Sequence, residues 1–332
     1  MSNYDAFNFQ NDQAAGLRRI MAGPKPRIFS LLAANVLYTK QNTPYAIEEN
    51  QPKIISNLAT SLHRLSAEVL VVHAGQQGDE ATRQYGLKNL PSIMDKVIDN
   101  FANGTQLLEG HHTLNHHGID HQELEQHGAF KNLAQGFSIA RLIPQRTTIN
   151  QYDDASVGLL NNHFIKLASK YEIVLVDTVL TEQLTLPLEM LNQNEIVIQL
   201  NQKPASIKNA YSLIKLLCNQ LGRRSFSILI HDANEPEAQN VFNNIAEVAR
   251  RFMHIELEFI GFIPKDDYLS HATKLGRSVV EAFPMASASQ AFKAMALKLD
   301  YRQDPNRRDQ NRQDPNRQDR RSQAKLDLMQ HV

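Results

Sequence analysis

Hydrophobic residues in this chain fall into two alternating patterns. Short, nearly unbroken apolar runs occupy 27–32, 69–72, 137–143, 171–178, 195–200, 227–231 and 255–262. Between most of them lie longer stretches, 54–65, 93–101, 155–169, 204–217, 237–253 and 289–299, where apolar residues recur every third or fourth position. The runs predict strands buried on both faces, and the periodic stretches predict helices. Their alternation predicts an α/β fold: three layers, α/β/α, around a twisted, mostly parallel sheet of about seven or eight strands.

The stretch 27–74 organises the rest, as a strand, a long loop, a helix and a fully buried strand, which is a βαβ unit. Asn50 is placed to cap the helix and Pro52 falls in its first turn. Glu48 and Glu49, just ahead of it, complement the helix dipole and would repel a phosphate. Further on, Ser206 reads as the N-cap of the helix over 204–217. Ile207, Ala210, Tyr211, Ile214 and Leu217 form its apolar stripe, which predicts core packing rather than a partner face.

Two flanking segments differ. Residues 11–21 predict a short helix capped by Asn11 or Asp12, with Ala14, Leu17, Arg18 and Met21 on neighbouring turns. Gly23-Pro24-Lys25-Pro26 ends it and acts as a stiff linker. So short a helix is marginal in water and needs a surface to fold upon. From Tyr301, Arg302-Gln-Asp-Pro-Asn-Arg recurs as Arg312-Gln-Asp-Pro-Asn-Arg with almost no apolar residues, which predicts a disordered tail. The expected organisation is therefore 1–25, 26–300 and 301–332.

Composition narrows the function classes. Of 332 residues, 42% are hydrophobic, enough for a substantial core, and Lys+Arg and Asp+Glu balance at 35 each. No global charge draws the chain to nucleic acid. Cys218 is the only cysteine, which precludes an intrachain disulfide and fits a reducing, cytoplasmic setting. There is no signal-peptide pattern at the start and no run of the ~20 apolar residues a membrane span needs. The last stretch, 324–332, offers only Leu326, Leu328, Met329 and Val332 as larger apolar residues, too few for firm membrane binding.

Candidate chemistry is sparse. His111, His112, His116, His117, His121 and His127 cluster in 109–127, and two i,i+4 pairs among them would share a helix face. Imidazole suits zinc, nickel or copper. Gly110, Gly118 and Gly128 interrupt the segment, however, and a solvated histidine-rich stretch is the favoured reading. In many nucleotide enzymes a glycine-rich loop ending in Lys-Thr or Lys-Ser joins the first strand to its helix. Here 33–53 contains no glycine.

Asn57-Leu-Ala-Thr-Ser-Leu followed by Val69-Leu-Val-Val-His-Ala resembles the start of MinD/ParA-type ATPases. Tyr171-Glu-Ile-Val-Leu-Val-Asp-Thr, Pro204-Ala-Ser-Ile-Lys-Asn-Ala-Tyr, Gly261-Phe-Ile-Pro-Lys-Asp-Asp and Val279-Val-Glu-Ala-Phe-Pro-Met-Ala-Ser resemble later family segments. On this resemblance the phosphate-binding Lys-Thr pair falls on Gln51 and Pro52. The aspartates after the second strand fall on His73 and Gly75, and the asparagine that reads adenine falls on His231. Asp177 matches the family's magnesium-site aspartate and reads as a structural remnant. The resemblance thus implies a scaffold whose nucleotide site has degenerated, a pseudo-ATPase without cofactor or metal. A working ATPase that uses Lys40 or Lys53 in a remodelled phosphate site is the alternative.

Asp12, Gln13, Ala14, Leu17 and Arg18 match the Asp-Gln-Ala-x-x-Leu-Arg motif of the FlhG (FleN) branch of that family. In that branch the helix docks on FlhF, a GTPase of the signal-recognition-particle type, and stimulates GTP hydrolysis. Glutamine can orient attacking water, and arginine can complement developing phosphate charge. The resemblance implies a regulator of flagellar number or placement, recruited to a cell pole, with FlhF as partner. A flagellar transcription activator or a basal-body protein is a further candidate partner. The competing readings are an N-terminal helix packed on its own domain and a scaffold for another polar machine.

Overall fold

The computed structural model describes residues 25–34, 51–74, 87, 90, 92–99, 130–144 and 147–300. Asp12, Gln13, Ala14, Leu17 and Arg18, Lys40, the Asn50 cap, Gly75, the histidine cluster of 109–127 and the tail from Tyr301 lie outside these residues.

Eight strands are described: β1 (Arg27–Ala33), β2 (Val69–His73), β3 (Phe130–Asn132), β4 (Ser138–Arg141), β5 (Ile173–Asp177), β6 (Glu195–Asn201), β7 (Phe226–His231) and β8 (Leu257–Ile263). They form one sheet in the order β3-β4-β2-β5-β1-β6-β7-β8. All neighbours are parallel except β3 and β4. The apolar runs are the central strands, buried on both faces as parallel sheets require. Antiparallel β3 has only three residues and gives no comparable pattern.

Helices cover both faces. α1 (Gln51–Arg64), α5 (Asp267–Lys274), α6 (Val279–Ala282) and α7 (Ser287–Leu299) lie on one side. Ile55, Leu58, Leu62, Val279 and Phe292 there meet Phe29, Leu31, Val71 and Leu175 of the sheet. α2 (Asp154–Ala168), α3 (Pro204–Leu221), α4 (Glu235–Met253) and a helical segment at 93–99 cover the other side. Leu160, Phe164, Ile214 and Ile245 pack there on Ile28, Leu32, Val174 and Ile198. The result is the three-layer arrangement read from the alternating pattern.

Local chemistry explains the helix ends and corrects one of them. A capping box starts α4: Asn234 accepts from the Glu237 N–H, and Glu237 accepts in return from the Asn234 N–H. Asp153 caps α2 through the Ser156 N–H. Ser206 is not the cap of α3. Pro204 occupies the first turn, so the N-cap is Lys203, and the buried Ser206 hydroxyl instead accepts from the Asn201 N–H at 3.1 Å.

At the amino edge of the sheet, Arg27 joins three elements. Its Nε and Nη2 donate to the two carboxylate oxygens of Glu195 at 2.7 and 2.6 Å, a fork that matches carboxylate geometry. Its Nη1 donates to the Leu299 carbonyl at 3.0 Å, and the guanidinium lies over the Phe29 ring. The starts of β1 and β6 and the end of α7 therefore meet at one corner.

Candidate functional site

In open α/β sheets ligands bind outside the carboxyl ends of the strands, where the chain changes direction across the sheet. That point here is β1: its successor β2 lies on one side, and β6, β7 and β8 extend to the other. Side chains alternate between faces along a strand, so the register shows which carboxyl-end residues face α1.

His73 pairs in register with Arg141 on β4 and with Asp177 on β5. All three alternate in phase with core residues of the α1 side, Val71, Ile139 and Leu175. Adjacent strands thus present cation, imidazole and carboxylate in one row. Beyond β1, Gln199 of β6 is opposite Ala33 and belongs to the same face. Arg141 is 2% exposed, His73 1% and Gln199 0%, whereas Asp177 is half-buried.

His73 Nδ1 lies 2.9 Å from Asp177 Oδ2. An ionised carboxylate can only accept, so His73 Nδ1 is the donor in this pair. Nε2 is buried and has no hydrogen-bond partner among the described residues. The same holds for both amide atoms of Gln199. A buried polar group left in that state costs about 1–3 kcal/mol.

The other candidate positions separate. Gln51 and Pro52 are the first two residues of α1. His231, at the end of β7, donates from Nδ1 to its neighbour Asp232 at 2.9 Å. That hydrogen bond holds the Asp232 carboxyl below the usual range, against the opposing effect of burial. Of the positions marked in the sequence, the structure brings together His73 and Asp177. Arg141 and Gln199 were not marked. Their signal was present, however: each is a long polar residue inside an otherwise apolar run.

Among the described residues of this edge the set of metal-ligating side chains is small. The row has a single carboxylate, and its Oδ2 already accepts from His73. An arginine stands two strands away, and the described residues include no group of three metal-ligating side chains. On the opposite face of the same edge a cavity of about 30 Å³ is lined by Ala74, Ile143, Thr148, Ile149, Leu180 and Pro187. It is apolar and large enough for little more than a methyl group or a water molecule.

The same fold occurs in ATPases of known structure. A ParA family ATPase from Chlorobium tepidum superposes with a TM-score of 0.56 at 16% identity, covering 82% of this chain and 98% of that one. MinD from Pyrococcus horikoshii, in complex with Mg-ADP, gives 0.54 at 15%, covering 83% and 96%. MinD in the MinC:MinD complex of Aquifex aeolicus gives 0.53 at 19%, covering 82% and 95%. These establish the MinD/ParA fold. In sequence, the chain is 40% identical over 107 residues to the antiactivator FleN of Pseudomonas aeruginosa, a match that spans 32% of this chain and 38% of FleN. No family model matches the chain. The chain thus has the MinD/ParA fold and, over the matched segment, is similar to FleN.

No helix among the described residues is long and apolar enough to cross a membrane.

Proposed function

We propose that this protein is a non-catalytic regulator of flagellar number or placement that acts on partners without using ATP. The observation that carries the non-catalytic part is the His73–Asp177 hydrogen bond. An imidazole N–H satisfies the carboxylate that the resemblance assigns to a metal's water shell, and the positions assigned to a phosphate-binding Lys-Thr pair hold Gln51 and Pro52.

The active element in this reading is the segment carrying Asp12, Gln13, Ala14, Leu17 and Arg18. It docks on an FlhF-like GTPase of the signal-recognition-particle type. Leu17 and Ala14 supply apolar contact, Gln13 orients the attacking water and Arg18 complements charge on the phosphates. The name antiactivator, borne by FleN, supports a flagellar transcription activator as a second partner.

The test is a GTPase assay of the partner titrated with this protein in the absence of ATP. The expected result is stimulation that Gln13→Ala reduces by about a hundred- to a thousandfold, the range for loss of one positioned electrostatic group. An unchanged hydrolysis rate overturns the activator reading. Calorimetric binding of ATP at micromolar concentration, abolished by Asp177→Ala, overturns the non-catalytic one.

A further inference from the structure

Helix α5 turns a row of large side chains outward. Tyr268, His271 and Leu275 follow at i, i+3 and i+7, which places them within an arc of about 60°. Tyr268 is 49% exposed and Leu275 62%. The Tyr268 ring meets His271 edge-on, with centroids 6.2 Å apart, and lies 4.7 Å from the ring of Phe283. Met285, two positions further on, is 80% exposed. Leu269 and Ala272, on one flank of the helix, pack against the core instead.

This ridge stands on a fixed base. Asp266 ties α5 to α7: its Oδ1 accepts from the Tyr268 N–H and its Oδ2 from the Ala288 N–H, both at 2.9 Å. The turn that carries Phe283 and Met285 is held by the Ser289 hydroxyl, 2.7 Å from the Phe283 carbonyl, and by Gln290 Nε2, which donates to the Pro284 carbonyl at 3.1 Å. Apolar side chains on a base of this kind lose little freedom when they are covered. A contiguous exposed patch rimmed by polar residues marks an interaction site.

Charge selects what covers it. Asp267 in the first turn and Lys274 in the last are both exposed. They lie on the flank turned away from the core, roughly 80° from the centre of the ridge. In an antiparallel helix pair about a two-fold axis, each flank meets the same flank of the other helix, running in reverse. With the axis at His271, Asp267 comes opposite Lys274 of the second copy, Lys274 opposite its Asp267, and the two ridges stack. A surface that complements itself is what a two-fold dimer requires. A uniformly acidic or basic partner would match one end of this flank and be repelled by the other.

We propose that α5 is the contact of a two-fold homodimer that forms without nucleotide. This contact is independent of the activator reading, and its test needs no GTPase.

The experiment is sedimentation equilibrium of the full chain without nucleotide, across about 1–100 μM. A contact built on one helix lies at the small end of interface sizes, so the expected dissociation constant is on the order of ten micromolar. Leu275→Glu, at an exposed position, should weaken association by at least about tenfold. Asp267→Lys gives a copy with two cations on the flank, and Lys274→Asp gives one with two carboxylates. Each variant alone should associate about fivefold more weakly than the wild type. An equimolar mixture of the two should recover wild-type association, because each copy then meets the opposite charge. A wild-type chain that stays monomeric throughout the range overturns the proposal. So does a dimer indifferent to Leu275→Glu, which places the contact elsewhere, and so does a mixture that associates no better than its components. A monomeric wild type whose Leu275→Glu variant loses stimulation of the partner GTPase assigns the ridge to that partner and likewise overturns it.

Discussion

Asn57 on α1 accepts a hydrogen bond from the Val279 N–H at the start of α6, 2.7 Å away and 222 positions along the chain. Its Nδ2 donates to the Lys53 carbonyl at 2.7 Å, and the side chain is almost fully buried. Asn57 opens one of the segments that carry the resemblance to MinD/ParA-type ATPases, and Val279 opens another. The two are hydrogen-bonded to each other, and neither takes part in the row at the carboxyl edge.

Asn57→Ala should therefore destabilise the fold by about 1–3 kcal/mol, because it leaves the Val279 N–H buried without an acceptor. For a chain of this size that corresponds to a fall of several degrees in melting temperature, at about 2–4 °C per kcal/mol. Amide exchange at Val279 should accelerate in step. Unchanged protection there would show that the bond is dispensable.

His73→Asp places a second carboxylate beside Asp177 on the adjacent strand, in register and buried. Like charges at that distance disfavour joint ionisation. The variant should melt well below the wild type at neutral pH and recover as the pH is lowered and one carboxyl binds a proton. Millimolar magnesium should raise its melting temperature and leave the wild type unmoved. Stabilisation of the wild type by magnesium would contradict the role given to the imidazole.

Gln199 is fully buried, with neither amide atom hydrogen-bonded among the described residues. Gln199→Met keeps the length of the side chain and removes both polar atoms. The expected gain is about 1–2 kcal/mol, read as a higher urea midpoint with an unchanged slope. A loss of stability would mean that the amide is hydrogen-bonded in the folded protein.

Asp232 supplies the pH dependence. Its carboxyl is held below the usual range, first by the hydrogen bond from His231. A depressed folded value means the unfolded chain binds this proton more readily. The stabilisation is complete above the ordinary carboxyl pKa of about 3.9 and is lost as the pH falls through the folded value. Asp232→Asn should cost less than about 1 kcal/mol at pH 7, since the group is partly exposed. The gap to the wild type in urea midpoint should narrow only below about pH 4. Asn suits the test because Asp232 has φ +55°, a conformation that Asn tolerates.

The layered fold was legible because parallel strands buried on both faces leave unbroken apolar runs, as Ile28–Leu32 and Val69–Val72 do. What escaped was short or non-local. β3 has three residues and no apolar period. The Ser206 cap was a sound local reading, but Pro204 displaced it by fixing the helix start earlier. His73 and Asp177 were each visible as departures from, or matches to, a motif. Their contact was not, because it depends on β5 entering the sheet beside β2 from 104 positions away. No local pattern encodes that insertion. Arg141 shows the same limit: a charge inside an apolar run marks an unusual position, but only the register reveals its neighbours.

The central place of β1 sets an order of events during synthesis. Its two sheet neighbours, β5 and β6, begin at Ile173 and Glu195. At roughly 5–20 residues per second, the ribosome needs on the order of ten seconds to supply them after β1 has been made. Phe29, Leu31 and Leu32 must be sheltered for that interval by something other than their final strand neighbours. Any factor that grips the residues ahead of Lys25 in that time meets them on a nascent chain, before the domain that will carry them exists.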